Sequence, residues 1–183
     1  QDYYDKGMRV PDDVTLLFCD DNWGNVRKLP DPAAKAHKGG YGMYYHFDYV
    51  GGPRNYKWIN VSQIQRIWEQ MNLTYSHGVD RIWIVNVGDL KPMEYPISFF
   101  LNMAWNPAQF NSQNLLSHTE KWCAVQFGEK YSKEAARLID TYTKYSRRIT
   151  PELLNDTIYS LKNYNEFETV MNDFRALALD AFR

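Results

Sequence analysis

The constraint that most narrows the fold lies between residues 60 and 88. Asn60 is placed to cap a helix, and Ile64, Ile67, Trp68, Met71 and Tyr75 follow at helical spacing along one apolar face. Gly78 closes that helix. The run Val79-Asp-Arg-Ile-Trp-Ile-Val-Asn-Val-Gly88 then reads as a strand, nearly continuous in apolar residues and expected to be buried on both faces. A strand reached through a helical crossover pairs in parallel with its predecessor. The chain is therefore expected to be of α/β class.

Two further strands precede the helix. Residues 14–20 form an apolar run, and residues 41–48, Tyr-Gly-Met-Tyr-Tyr-His-Phe-Asp, form one rich in aromatics. Between them lies an irregular stretch with Pro30, Pro32, Gly39 and Gly40. Pro96 to Met103 reads as another helix. Three strands are too few to close a barrel, so the sheet is either open or part of one.

Beyond about residue 106 no strand is expected. Ser132 opens a helix carrying Ala135, Leu138, Ile139 and Tyr142. Thr150-Pro151-Glu152 reads as a cap followed by proline at the first helical position. Asn165-Glu-Phe-Glu168 resembles a capping box before a last helix. This half is expected to be a segment of helical bundle. At the other end, Gln1 to Gly7 reads as the last turn of a helix closed by glycine, and Arg183 ends an apolar pattern without a stop signal. Both observations point to a piece of a longer chain.

Bulk properties exclude several classes. The 183 residues carry a formal net charge of -1, so no basic stripe speaks for nucleic acid or an anionic membrane. No run is long enough to span a bilayer. Cys19 and Cys123 form neither a disulfide framework nor a thiolate metal site, and both are expected to be buried as small apolar residues. His37, His46, His77 and His118 lack metal-ligand spacing, and no metal or cofactor is expected. There is no glycine-rich phosphate loop before a helix and no GxSxG elbow. Three matches to the N-glycosylation pattern, at Asn60, Asn72 and Asn155, are short enough to arise by chance.

The strands end alike, and that shared ending carries the functional signal. The first breaks into Asp20, Asp21, Asn22 and Trp23; the second into His46, Asp48 and Tyr49; the third into Asn86, Gly88 and Asp89. Polar groups delivered to the C-terminal rim of a parallel sheet are the pattern of a substrate site. Alternation puts Leu16, Phe18, Asp20 and Asn22 on one face and leaves Asp21 as a rim or turn residue. Asn86 extends the row Ile82, Ile84 and, between Val85 and Val87, is expected to be deeply buried. Plainer roles stay open: His46 as a core histidine, Asp48 and Asp89 as turn caps, Trp23 as core. A 16% aromatic share suits stacking on sugar faces, as it suits a generous core. Arg54 and Lys57 would suit an anionic sugar.

Three runs carry a family resemblance. Pro11-Asp-Asp-Val-Thr-Leu-Leu-Phe-Cys-Asp-Asp-Asn-Trp-Gly-Asn25, Gly40 to Trp58, and Gly78 to Pro92 resemble glycoside hydrolase family 115, in order and over residues 1 to about 105. The resemblance implies xylan α-1,2-glucuronidase activity, releasing glucuronic acid or its 4-O-methyl form with inversion. It implies a (β/α)8 TIM-type barrel, of which residues 1–105 would be the later part, followed by a helical bundle segment at 106–183. Asn22, Trp23, His46, Tyr49, Arg54 and Asn86 would bind the uronic acid. Asp20 would be the catalytic carboxylate contributed here, either as base or to position substrate or water. The general acid is expected on an earlier strand. Glucuronoxylan or its oligosaccharides would be the partner, a homodimer of the full-length protein is one option, and a periplasmic or secreted location would follow from polymer degradation. The competing readings are a non-catalytic carbohydrate-binding module and a barrel enzyme of other chemistry. The latter is disfavoured because no strand carries a Schiff-base lysine or a metal triad.

Overall fold

The structure is a computed structural model that describes residues 2–49 and 59–183. Its centre is a three-stranded sheet of β1 (Leu16–Cys19), β2 (Tyr41–His46) and β3 (Ile82–Asn86), in that spatial order among the described residues. Both pairings are parallel, with Phe18 opposite Met43 and Met43 opposite Trp83. β1 connects to β2 by the irregular stretch, and β2 connects to β3 through α2 (Ile64–Ser76). Helix α3 (Glu94–Trp105) follows β3.

Helix α2 obeys its sequence pattern. Ile64, Ile67 and Met71 are buried, whereas Tyr75 is exposed and Thr74 takes the inner position. The helix ends in a Schellman arrangement: Gly78 N–H donates to the Tyr75 carbonyl and Val79 N–H to that of Thr74, with Gly78 at φ 73°. Asn60 does not cap the helix directly; its Oδ1 accepts Ser62 N–H at 2.9 Å, and Gln63 is the first flanking residue.

Helices cover one face of the sheet. Phe18, Met43, Tyr45 and Phe47 point into a core with Ile64, Ile67, Met71, Phe99, Phe100 and Met103, joined by Trp83, Val85 and Val87. Phe100 lies within 5.8–6.4 Å of the rings of Phe47, Trp83 and Tyr45. Fully burying a side chain of this kind stabilises a fold by about 1.5–3 kcal/mol. Among the described residues the opposite face is the more open one: Leu17, Ile82 and Ile84 are 41–49% exposed. This corrects two expectations. Among the described residues β3 is covered on one side, not both. Cys19 shares the more open face and is exposed, while Cys123 is buried on a helix.

The second half is helical: α4 (Leu115–Phe127), α5 (Ser132–Arg148) and α6 (Glu166–Ala181), with 3-10 turns between them. Residues 151–153 form one such turn, not the start of an α-helix. Asn165 precedes α6 with a left-handed backbone, φ 52°, and its side chain makes no cap bond. The capping box is therefore absent, and the Glu166 carboxylate instead accepts Ser160 N–H at 2.9 Å. At the N-terminal end, the helical turn α1 (Asp2–Asp5) leads to Gly7 at φ 100°.

Candidate active site

The C-terminal ends of the three strands deliver Asp20, His46 and Asn86 side by side, with His46 directly opposite Asn86. β1 stops at Cys19, and Asp20 makes an isolated antiparallel bridge with Val26. The chain turns at Asn22, φ 67°, and Gly24, φ 76°. Strand alternation therefore ends at Cys19; Asp20 turns its carboxylate toward the His46 ring. The expected inward pair of Asp20 and Asn22 is corrected: Asn22 belongs to a turn, where strand periodicity has no hold.

Asp20 is 4% exposed, and three protein donors converge on its carboxylate. Oδ2 accepts His46 N–H at 2.9 Å, so a side chain continues the ladder by one step. Oδ1 accepts Asn22 N–H at 2.9 Å and lies 2.7 Å from His46 Nδ1. An ionised carboxylate has only lone pairs to offer, so Nδ1 carries the proton. The imidazole is thereby held in one orientation, with Nε2 unpartnered among the described residues, which is the geometry of an oriented histidine. The carboxylate, for its part, is spent on holding.

His46 itself is 8% exposed. Its ring centroid is 4.5 Å from that of Tyr44 and 6.1 Å from that of Tyr49, the latter edge-on. Tyr44 Oη accepts from Asn86 Nδ2 at 3.3 Å, and Asn86 Oδ1 accepts Gly88 N–H at 3.2 Å. Asn86 is half-buried, not deeply buried as expected, because its row, Ile82 and Ile84, lies on the more open face of the sheet. Tyr44 is the residue that sequence reasoning missed, although its spacing from His46 placed it on that same face. Gly88 sits at φ 67°, where a Cβ would come within 2.5 Å of Asp48 Oδ2. Asp48 is 2% exposed.

Asp21 behaves as the expected turn residue. It accepts Trp23 N–H, Asn25 N–H and Asn25 Nδ2–H at 2.6–3.0 Å. Burial opposes its ionisation, but these donors outweigh that and hold its carboxyl below the usual range. The loop they close is fastened from outside by Tyr45, Arg66, Gln70 and Arg147. Burial, reinforced by the Asp20 charge, raises the Tyr45 phenol and keeps it a neutral donor. Trp23 is half-buried in this loop. Arg54 and Lys57 lie outside the described residues.

The structure thus brings Asp20, Asn22, His46 and Tyr49 together and joins Asn86 to them through Tyr44. A half-open crevice lined by Trp23, His46, Arg66 and Arg147 is about 20 Å³, room for a water and little more.

No curated protein matches the chain. A solved structure, the family GH115 4-O-methyl-alpha-glucuronidase BtGH115A, with specificity for decorated arabinogalactans, is similar over 98% of this chain at 33% identity and a TM-score of 0.85. This chain spans 25% of that protein's length. The family model for glycosyl hydrolase family 115 matches residues 1–153, most of the sequence, and the chain belongs to that family.

Proposed function

We propose that this chain is the part of a glycoside hydrolase that holds the uronic acid, in an enzyme that cleaves (4-O-methyl)glucuronic acid from a polysaccharide, glucuronoxylan in the first instance. The observation that carries the reading is the set His46, Tyr44 and Asn86 at the strand ends, on the more open face of the sheet. An oriented imidazole, a phenol and an amide are hydroxyl- and carboxylate-binding groups, and Tyr49 adds an aromatic edge. Exposed Leu17, Ile82 and Ile84 on that face support a further reading, that the sheet is the later part of a (β/α)8 barrel with these residues in its interior. Residues 1–105 would then be barrel and 106–183 bundle.

In this mechanism Asp20 is a positioning residue acting through His46, whose Nε2 meets the substrate. Inversion requires an acid and a base about 6.5–9.5 Å apart, with water between base and anomeric carbon. We place the proton donor on a strand outside this segment, so the segment alone would be inactive. The neighbour's arabinogalactan specificity favours a second reading of the substrate, with the same bond chemistry on a different backbone.

The test uses the full-length enzyme on 4-O-methylglucuronoxylan and on a glucuronylated arabinogalactan, with the products followed by proton NMR. Release of the uronic acid, first as the β-anomer, is expected. First appearance of the α-anomer would refute inversion. Binding without release from either polymer would refute hydrolysis and favour a binding module.

A further inference from the structure

We propose that Arg147, at the end of α5, is a positioning residue for the site: it fixes the loop that carries Asn22 and Trp23. This rests on the functional reading above for its catalytic consequence, but not for its structural one.

Two consecutive carbonyls of the loop are held by donors from different parts of the chain. The Trp23 carbonyl accepts from Arg147 Nη2, across 124 residues of sequence. The Gly24 carbonyl accepts from Tyr45 Oη at 3.0 Å. The two donors flank Gly24 on successive peptides, and a Cβ there would stand 2.8 Å from Tyr45 Oη and 3.7 Å from Arg147 Nη2. Arg66 reaches Asn25 Oδ1, and Gln70 Oε1 accepts Val26 N–H at 2.7 Å. Upstream of these anchors, Asn22 N–H closes back on Asp20, which holds His46. A shift of the Trp23 peptide therefore moves Asn22 and is felt at the imidazole.

The guanidinium is committed to this contact. Among the described residues Arg147 has no carboxylate partner, whereas its neighbour Arg148 pairs with Asp173 at 2.8 Å. A half-buried cation given to a main-chain carbonyl makes a directional, charge-assisted bond. It also makes the helical half a contributor to the geometry of a site it does not line.

The experiment compares Arg147→Ala, Arg147→Lys and Arg148→Ala in the full-length enzyme. Amide hydrogen exchange is read over residues 20–26, alongside kcat and KM for uronic acid release. Arg147→Ala should speed exchange in the loop about 10-fold or more while leaving β2 and α2 protected. It should lower kcat about 10- to 100-fold, the scale of a misplacement near 1 Å. Lysine, a donor without the planar fork, should recover part of both, and it keeps the test open where the alanine variant does not fold. Arg148→Ala should change neither. Unaltered loop exchange in the Arg147 variants would overturn the proposal, as would equal acceleration in Arg148→Ala. Should the wild-type enzyme release no uronic acid, the hydrolase reading fails and the exchange arm alone decides the clamp.

Discussion

Replacing Asp20 with asparagine isolates what the carboxylate does, because shape is kept while charge and one acceptor are lost. Three donors meet this group: His46 N–H, His46 Nδ1–H and Asn22 N–H. An amide has one oxygen for them. Its better orientation puts that oxygen at the Oδ1 position, where it keeps the imidazole and the Asn22 amide. The NH2 group then faces His46 N–H, donor against donor, and a buried unsatisfied donor costs about 1–3 kcal/mol. The two surviving bonds also lose their ionic character, which is worth roughly 1 kcal/mol each. The expected destabilisation is therefore about 3–5 kcal/mol, against a stability of about 5–15 kcal/mol for an ordinary domain. The protein should fold, with a thermal midpoint several degrees lower. Activity should fall further than stability, by about 10²-fold or more, because a neutral amide holds the ring and its tautomer less firmly than a carboxylate. Asp20→Ala should abolish nearly all release. The assay is uronic acid release by the full-length enzyme over a range of pH, with a melt on the same preparation. A variant with wild-type kcat/KM and an unshifted midpoint would refute the role of Asp20 as the holder of His46.

Other outcomes follow from single contacts. Tyr44→Phe removes the acceptor of Asn86 Nδ2 and should lower kcat/KM about 10-fold with less than about 1 kcal/mol of destabilisation, as read by kinetics and a melt. Gly88→Ala forces a side chain onto a left-handed backbone and against Asp48 Oδ2, and should cost about 1–3 kcal/mol or more in denaturant unfolding. Asp21, whose folded pKa is depressed, should stabilise its loop above the ordinary carboxylate value of about 3.9 and lose that contribution as pH falls from there through the folded value. Loop amide exchange should therefore quicken on acidification below that point, and Asp21→Asn should flatten the dependence.

Much of the strand layer was legible because its signal is local. An apolar run that breaks into carboxylate, imidazole or amide needs no tertiary information, and the breaks at Asp20, His46 and Asn86 do meet at one rim. Periodicity failed at Asn22, where a positive φ ends the strand geometry on which it relies. Helix α4 gave no usable pattern: Leu116, Val125 and Phe127 are 49–80% exposed, so its apolar residues do not mark one face. Asn165 has the composition of a cap but not the extended backbone that a cap requires. The loop anchors were invisible for another reason. Nothing in a stretch of sequence reports that Arg147 will meet Trp23.

That last pairing bears on the order in which the molecule is assembled. The strands, α2 and α3 supply much of the apolar core, and all of them lie upstream of residue 106. The loop at the strand ends is finished only when a side chain 124 residues downstream arrives. During synthesis at about 5–20 residues per second, the rim would wait on the order of ten seconds between the emergence of Trp23 and that of Arg147. The Trp23 carbonyl thus gains its Arg147 partner only after the strands, α2 and α3 have all emerged.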